Sequence, residues 1–231
     1  MRTLATQSIL SVSPCTCCSN ECIALDANAA QLGEKSRYAS CLPVHGGSVV
    51  FRKGSVARHV YGICNGLVKL VDDLPNGRPR ILRLLREGEI AGLEGLVDDT
   101  YHASAIAIND VRACVIPIKQ IKQWDREVPH FHQFMLKQWL RSLDQAGSVI
   151  TQMSTGTAET RVARLLLHLL RYQSTGSNCH CHTISREDMG ALLGLTKETA
   201  SRTIAALKRR GLIGIELGQS FTCNQVELEI L

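Results

Sequence analysis

The sequence predicts an α+β chain in three parts: an antiparallel β domain, a long amphipathic helix, and a C-terminal helix–turn–helix closed by a β-hairpin. Three observations predict it. Short apolar runs between residues 45 and 118 alternate with turn glycines eleven or twelve residues apart, the interval of a β sandwich or barrel. Apolar residues from Leu136 to Met153 then recur at spacings of three and four, the period of a helix face. Finally, two short helical patterns flank Gly194 and precede β-like runs.

Composition bounds the rest. The chain has 231 residues, 45% hydrophobic and 20% charged, with a formal net charge of +5. That is enough apolar content for a packed core, and the mild positive charge is weak support for a polyanionic partner. No run approaches eighteen consecutive apolar residues, so a transmembrane helix and a membrane partner are not expected. The N-terminus lacks an unbroken apolar stretch, and a proline precedes Cys15, which argues against a secretory or lipoprotein signal. The expected location is the cytoplasm. There, ten cysteines point to metal binding or redox chemistry rather than a disulfide framework.

The elements follow in order. Residues 1–25 form a Ser/Thr/Cys-rich tail without periodicity, holding Cys15, Cys17, Cys18 and Cys22. Residues 26–127 form the β domain, with turns at Lys53-Gly54, Asn65-Gly66, Asn76-Gly77 and Glu87-Gly88. Asn-Gly suits tight hairpins because both central residues need positive φ.

Residues 128–154 form the long helix, opened by Pro129, which loses no helical hydrogen bond in a first turn. Its seam is Leu136, Trp139, Leu143, Ala146, Ile150 and Met153. Within it, a helix from about 130 to 153 measures roughly 36 Å at 1.5 Å per residue. A heptad seam between two domains favours a homodimer helix over a core helix.

Residues 155–231 hold the helix–turn–helix. Ser185 and Asp188 resemble a capping box. Gly194 ends the first helix, Thr196 caps a second running to about Arg210, and "LIGIE" with "FTCNQVEL" form two strands. This is the winged helix-turn-helix pattern. The second helix carries Lys197, Arg202, Lys208, Arg209 and Arg210 against Glu198. Glu198, Ser201 and Arg202 share one face near its N-terminal half, the end that enters the major groove. Arg can chelate guanine, Glu can accept from cytosine, and Ser can meet either edge. Thr196 and Lys197 suit phosphates.

With "LGLTKETASR" (193–202), "LREGEIAGLEGL" (85–96) and "RACVIPI" (112–118), the chain resembles the CRP/FNR superfamily of bacterial transcription regulators, in its FNR-like branch. The resemblance implies a cupin-like β-roll of the cyclic-nucleotide-binding type, a dimerisation helix and a winged helix-turn-helix. It implies double-stranded DNA with palindromic TTGAT-like half-sites and RNA polymerase as partners, and no catalysis. Cyclic-nucleotide binders pair a Gly-Glu turn with a later Arg-Ser. Here "GEIAG" (88–92) is similar to the turn, but Ala103 stands where the Arg is expected before Ser104. A cyclic phosphate would lack its counter-charge.

The FNR resemblance also implies a [4Fe-4S] cluster, which four cysteine thiolates hold. The implied ligands are Cys15, Cys18, Cys22 and, with ninety-one residues between it and Cys22, Cys114. Cys17 with Cys15 and Cys22 is an alternative tail set. Oxygen-labile relatives often place an acidic residue in the dimer seam. Ala146 stands there, with Asp144 facing away, which implies dimerisation less dependent on a cluster. A thiol-switch, metal, haem or small-molecule effector is the alternative. "NCHCH" (178–182) is expected to be a loop, because alternation on a strand cannot aim all four side chains at one metal.

Overall fold

In a computed structural model of the chain, the described residues are 40–128, 131–173, 181–182, 184–215, 220–223 and 225–229. The cysteine-rich tail, and with it Cys15, Cys17, Cys18 and Cys22, lies outside them. So do Pro129 and His130.

The β domain is a roll of two four-stranded antiparallel sheets. The strands are β1 (Ser40–Val44), β2 (Val49–Phe51), β3 (His59–Asn65), β4 (Val68–Asp73), β5 (Pro79–Leu85), β6 (Ile90–Ala91), β7 (Ser104–Ala107) and β8 (Val111–Pro117). One sheet has the order β1-β8-β3-β6 and the other β2-β7-β4-β5. The four turn glycines named from the sequence, Gly54, Gly66, Gly77 and Gly88, all have positive φ. Gly66 shows why no other residue serves between β3 and β4. A Cβ there would meet the Asp110 carbonyl oxygen at 2.5 Å, at a φ of +91°.

Alternation along β8 sorts its side chains between two apolar layers. Val111 and Ala113 face a layer with Phe51, Tyr61, Leu85 and Tyr101. Cys114 and Ile116 face a second layer with Val60, Ile90 and Leu93. Helix α1 (Ile118–Glu127) was not anticipated from the sequence. It begins directly after β8 and lays Ile118, Ile121 and Trp124 into that second layer.

Helix α2 (Phe131–Ser148) follows and continues as a π-helical turn over Val149–Met153. Phe131, Phe134 and Met135 join the same apolar layer as Cys114. The outward face differs from the expected seam. Leu136, Leu143 and Ile150 are exposed as expected, at 55%, 67% and 66%, but Leu140 joins them at 59%. Trp139 packs against the core layer and Met153 is buried. The reason is geometric: both of these large side chains are covered within their own chain. The exposed apolar row is therefore Leu136, Leu140, Leu143 and Ile150, while Ala146 of the expected seam is partly buried.

The C-terminal part contains α3 (Ala158–Gln173), β9 (Cys181–His182), α4 (Arg186–Leu193), α5 (Lys197–Arg209), β10 (Ile213–Ile215), β11 (Ser220–Cys223) and α6 (Gln225–Glu229). Its core is Val162, Leu165, Leu166, Leu169, Met189, Leu192, Ala200, Ile204, Leu207 and Phe221. Two details depart from expectation. Cys181 and His182 pair with Phe221 and Ser220 as a third strand of the wing sheet. The "NQVEL" end of the last expected strand is helical, and Leu228 is buried there.

Contacts divide the chain into two compact units, residues up to 70 with 84–141, and 71–83 with 142 onward. Among the described residues, no helix is long and apolar enough to cross a membrane.

Candidate nucleic-acid interface and sensor site

The helix–turn–helix is built from its caps. The Ser185 hydroxyl accepts from the Asp188 main-chain N–H at 3.0 Å and opens α4. Gly194 ends α4 in the left-handed conformation, with φ 67°. The Thr196 hydroxyl accepts from the Thr199 N–H at 3.1 Å and opens α5. Each such cap satisfies an amide that a helix end leaves orphaned. Between the helices, Gly190 comes so close to the turn that a Cβ would lie 2.7 Å from the Leu195 carbonyl oxygen.

One face of α5, with Ala200, Ile204 and Leu207, is buried in the domain. The opposite face exposes Lys197, Glu198, Ser201, Arg202, Ala205, Lys208 and Arg209. Thus Thr196, Lys197, Glu198, Ser201 and Arg202 all lie at the exposed N-terminal end of α5. Arg210 differs from its neighbours: its guanidinium pairs with Glu159 at the start of α3. It ties helix to helix.

Local bonds hold the exposed N-terminal end of α5. The Glu198 carboxyl is held below the usual carboxylate range, first by its own main-chain N–H, then by the Thr196 side chain. Arg202 Nη2 donates to Thr199 Oγ1 at 3.4 Å. Thr199 was not singled out from the sequence. Its role is visible only once the cap and the arginine converge on it. The N-terminus of α5 also presents main-chain amides and a positive dipole end, which favour a phosphate.

In the β-roll, the position that resembles a nucleotide-binding turn is internally satisfied. Arg86 donates from Nε to Glu89 Oε1 at 3.0 Å and from its main-chain N–H to Glu89 Oε2 at 3.1 Å. Ala103 is buried. In the core of the β-roll, Phe51 and Tyr101 stack with ring centroids 3.9 Å apart, and Tyr61 leans on Phe51 at 5.4 Å.

Cys114 lies at the centre of β8 and is fully buried. Its register partner on β3 is Gly62, and on β1 it is Cys41. A glycine on one side and a small thiol on the other leave the least crowded flanks available in a sheet. Cys64, on the same strand as Gly62, packs against the same layer, and its Sγ contacts the Gly62 carbonyl oxygen at 3.7 Å. Among the described residues, no group of three or more His, Cys, Asp or Glu side chains is arranged to hold a metal ion. His102 and His132 instead pair with Asp98 and Asp125 on the surface.

Comparison with known proteins matches this architecture at both ends. Residues 42–126 match the cyclic nucleotide-binding domain family, and residues 160–227 match the Crp-like helix-turn-helix domain family. A probable transcriptional activator of Rhizobium leguminosarum bv. viciae is 30% identical over 190 residues, covering 80% of this chain and 78% of that protein. The transcriptional activator protein FnrL of Cereibacter sphaeroides is 29% identical, covering 74% of this chain and 71% of that protein. The structure of FixK2 from Bradyrhizobium japonicum superposes with a TM-score of 0.76 at 24% identity, over 84% of this chain and 96% of that one, and shows the shared fold.

Proposed function

Since the chain belongs to the CRP/FNR family of DNA-binding transcription regulators, we propose that it is an oxygen- and redox-responsive member using a [4Fe-4S] cluster. Members of this family are dimers and are not enzymes. The proposed site of action is the cytoplasm. The proposed targets are palindromes with TTGAT-like half-sites, read by Glu198, Ser201 and Arg202 while Thr196 and Lys197 hold phosphates. RNA polymerase is the implied partner at the promoter.

One observation carries the sensing half of this reading. The β1–β8 register sets Ser40 opposite Val115 and Cys41 opposite Cys114. Ser40, the first described residue, therefore stands opposite the residue next to the buried thiol. Seventeen residues lie between Cys22 and Ser40, so covalent geometry allows the two to be up to roughly 60 Å apart at about 3.3 Å per residue. Cys15, Cys18 and Cys22 can thus reach Cys114 and complete four thiolate ligands. When bound, the cluster supplies an oxygen-labile link among them.

The chain's own residues give that link a consequence. Cys114 shares an apolar layer with Phe131, Phe134 and Met135. Those residues anchor the first turns of α2, whose outward face begins at Leu136 and Leu140. A ligand state that alters packing around Cys114 therefore acts on the helix that carries the dimer row. It shifts the dimer only so far as its affinity differs between the two arrangements.

The test is anaerobic purification of the full chain with iron and acid-labile sulfide analysis, repeated in air. About four of each per protomer are expected, with loss in air and in the Cys114→Ser variant. Protein without iron or sulfide that binds the palindrome equally well with and without Cys114 overturns the proposal.

A further inference from the structure

The sequence offers no motif linking Cys41 to Cys114. Seventy-two residues lie between them, yet they are direct cross-strand partners on β1 and β8. We infer that Cys41 and Cys114 form a reversible dithiol–disulfide pair, a redox modification site separate from the tail cysteines.

Geometry carries the inference. Directly opposed residues of an antiparallel pair have Cα atoms about 4.5 Å or about 5.5 Å apart, depending on the ladder position. Disulfides span Cα separations of about 4.4–6.8 Å, so either ladder position suits one. Opposed residues also point to the same face of the sheet. The register runs unbroken from Ser40↔Val115 to Val44↔Val111, so bond formation needs no strand slip. Both cysteines stand outside disulfides in this structure.

The two thiols have unequal access, which assigns their roles. Cys41 is exposed on β1, the edge strand of its sheet, while Cys114 is buried. An oxidant in solution meets Cys41 first. With a hydroperoxide, the Cys41 thiol is oxidised to a sulfenic acid and the peroxide is reduced to an alcohol, or to water for hydrogen peroxide. The Cys114 thiol then attacks the Cys41 sulfur, the S–S bond forms and water leaves. Two thiols lose two hydrogens in total, and a cellular thiol reverses the step by exchange. Cys64 is the nearest competitor, but it sits at the register shift of β3 and bonds back to its own strand.

One consequence rests on the cluster reading: a Cys114 held in a disulfide is no longer a thiolate ligand. Peroxide would then block cluster assembly directly, even with an intact tail.

The test uses the reduced, cluster-free full chain, treated with hydrogen peroxide, alkylated and digested with trypsin without reduction. Cleavage after Arg37, Arg52, Arg112 and Lys119 isolates Cys41 and Cys114 in separate peptides, 38–52 and 113–119. The expected product is these two peptides joined, two hydrogens lighter than their sum, and absent from the surface variant Cys41→Ser. Recovery of 113–119 as an alkylated single peptide, or joined to the Cys64 peptide or to a tail peptide, overturns the inference. Iron and sulfide uptake is measured in parallel. Reduced protein that takes up neither defeats the cluster reading and leaves the disulfide standing. Separate peptides defeat the disulfide and leave the cluster reading standing.

Discussion

The Tyr101 hydroxyl satisfies both main-chain groups of His59: it donates to the carbonyl oxygen at 2.7 Å and accepts from the N–H at 3.3 Å. A side chain from the loop before β7 thereby completes the end of β3. Tyr101 is buried, and that burial pushes its phenol pKa up. Tyr101→Phe keeps the stack on Phe51 but removes the hydroxyl. It is expected to destabilise the β-roll by about 1–3 kcal/mol, the cost of leaving buried polar groups unpaired. Urea unfolding followed by near-ultraviolet circular dichroism measures it.

His59 itself gives the β-roll a pH dependence. Burial, then the Arg58 charge, hold its pKa below the ordinary histidine value of 6.5. Between that ordinary value and the lowered one, the unfolded chain binds more protons than the folded chain. Stability therefore falls as pH drops through this window and is recovered above it. The half-buried position keeps the effect modest. Denaturant midpoints between pH 7.5 and 5 should fall in the wild type and flatten in His59→Gln.

Gly190 and Gly147 make a contrasting pair. A Cβ on Gly190 would lie 2.7 Å from the Leu195 carbonyl oxygen, whereas one on Gly147 meets nothing within 4 Å. Gly190→Ala is expected to displace the turn and weaken operator binding at least tenfold, by roughly 1.4 kcal/mol or more. Gly147→Ala should instead raise helix stability by about 0.5–1 kcal/mol. Gel shifts and thermal melts distinguish the two.

The row of Leu136, Leu140, Leu143 and Ile150 is the largest exposed apolar feature of α2. Leu140→Glu with Leu143→Glu should convert the dimer to a monomer in sedimentation. Affinity for a two-half-site operator should fall roughly 100-fold as paired binding is lost. Asp144→Ala, beside the row, should leave the mass unchanged.

Specificity and affinity should separate along α5. Arg202→Ala is expected to cost about 1–3 kcal/mol on the palindrome and to relax preference at one base position. Lys197→Ala should weaken all sequences alike and lower the salt slope by about one. Competition binding across half-site variants at several salt concentrations reads both.

Local chemistry made much of this legible in advance. Ser185, Gly194 and Thr196 marked the ends of α4 and α5 because capping uses residues within one turn. The four turn glycines marked the β-roll because positive φ is a property of single residues. The exposed face of α5 followed from helical period alone. Other features depended on which surfaces a distant segment covers. Trp139 left the expected dimer row because it packs against the β-roll core layer, Met153 left it because it is buried, and Leu140 joined it because it is exposed. Arg210, counted from the sequence among the basic residues of the second helix, is instead tied to α3 because Glu159 lies within reach there.

The sequence by itself determined the order of the elements, their caps and turns, and the exposed recognition face, since these depend on spacing along the chain. Only the tertiary structure decided that Cys41 stands opposite Cys114, that Tyr101 closes β3, and which leucines α2 leaves uncovered. Strand register and side-chain burial are set by contacts between residues far apart in sequence, and no local pattern encodes them.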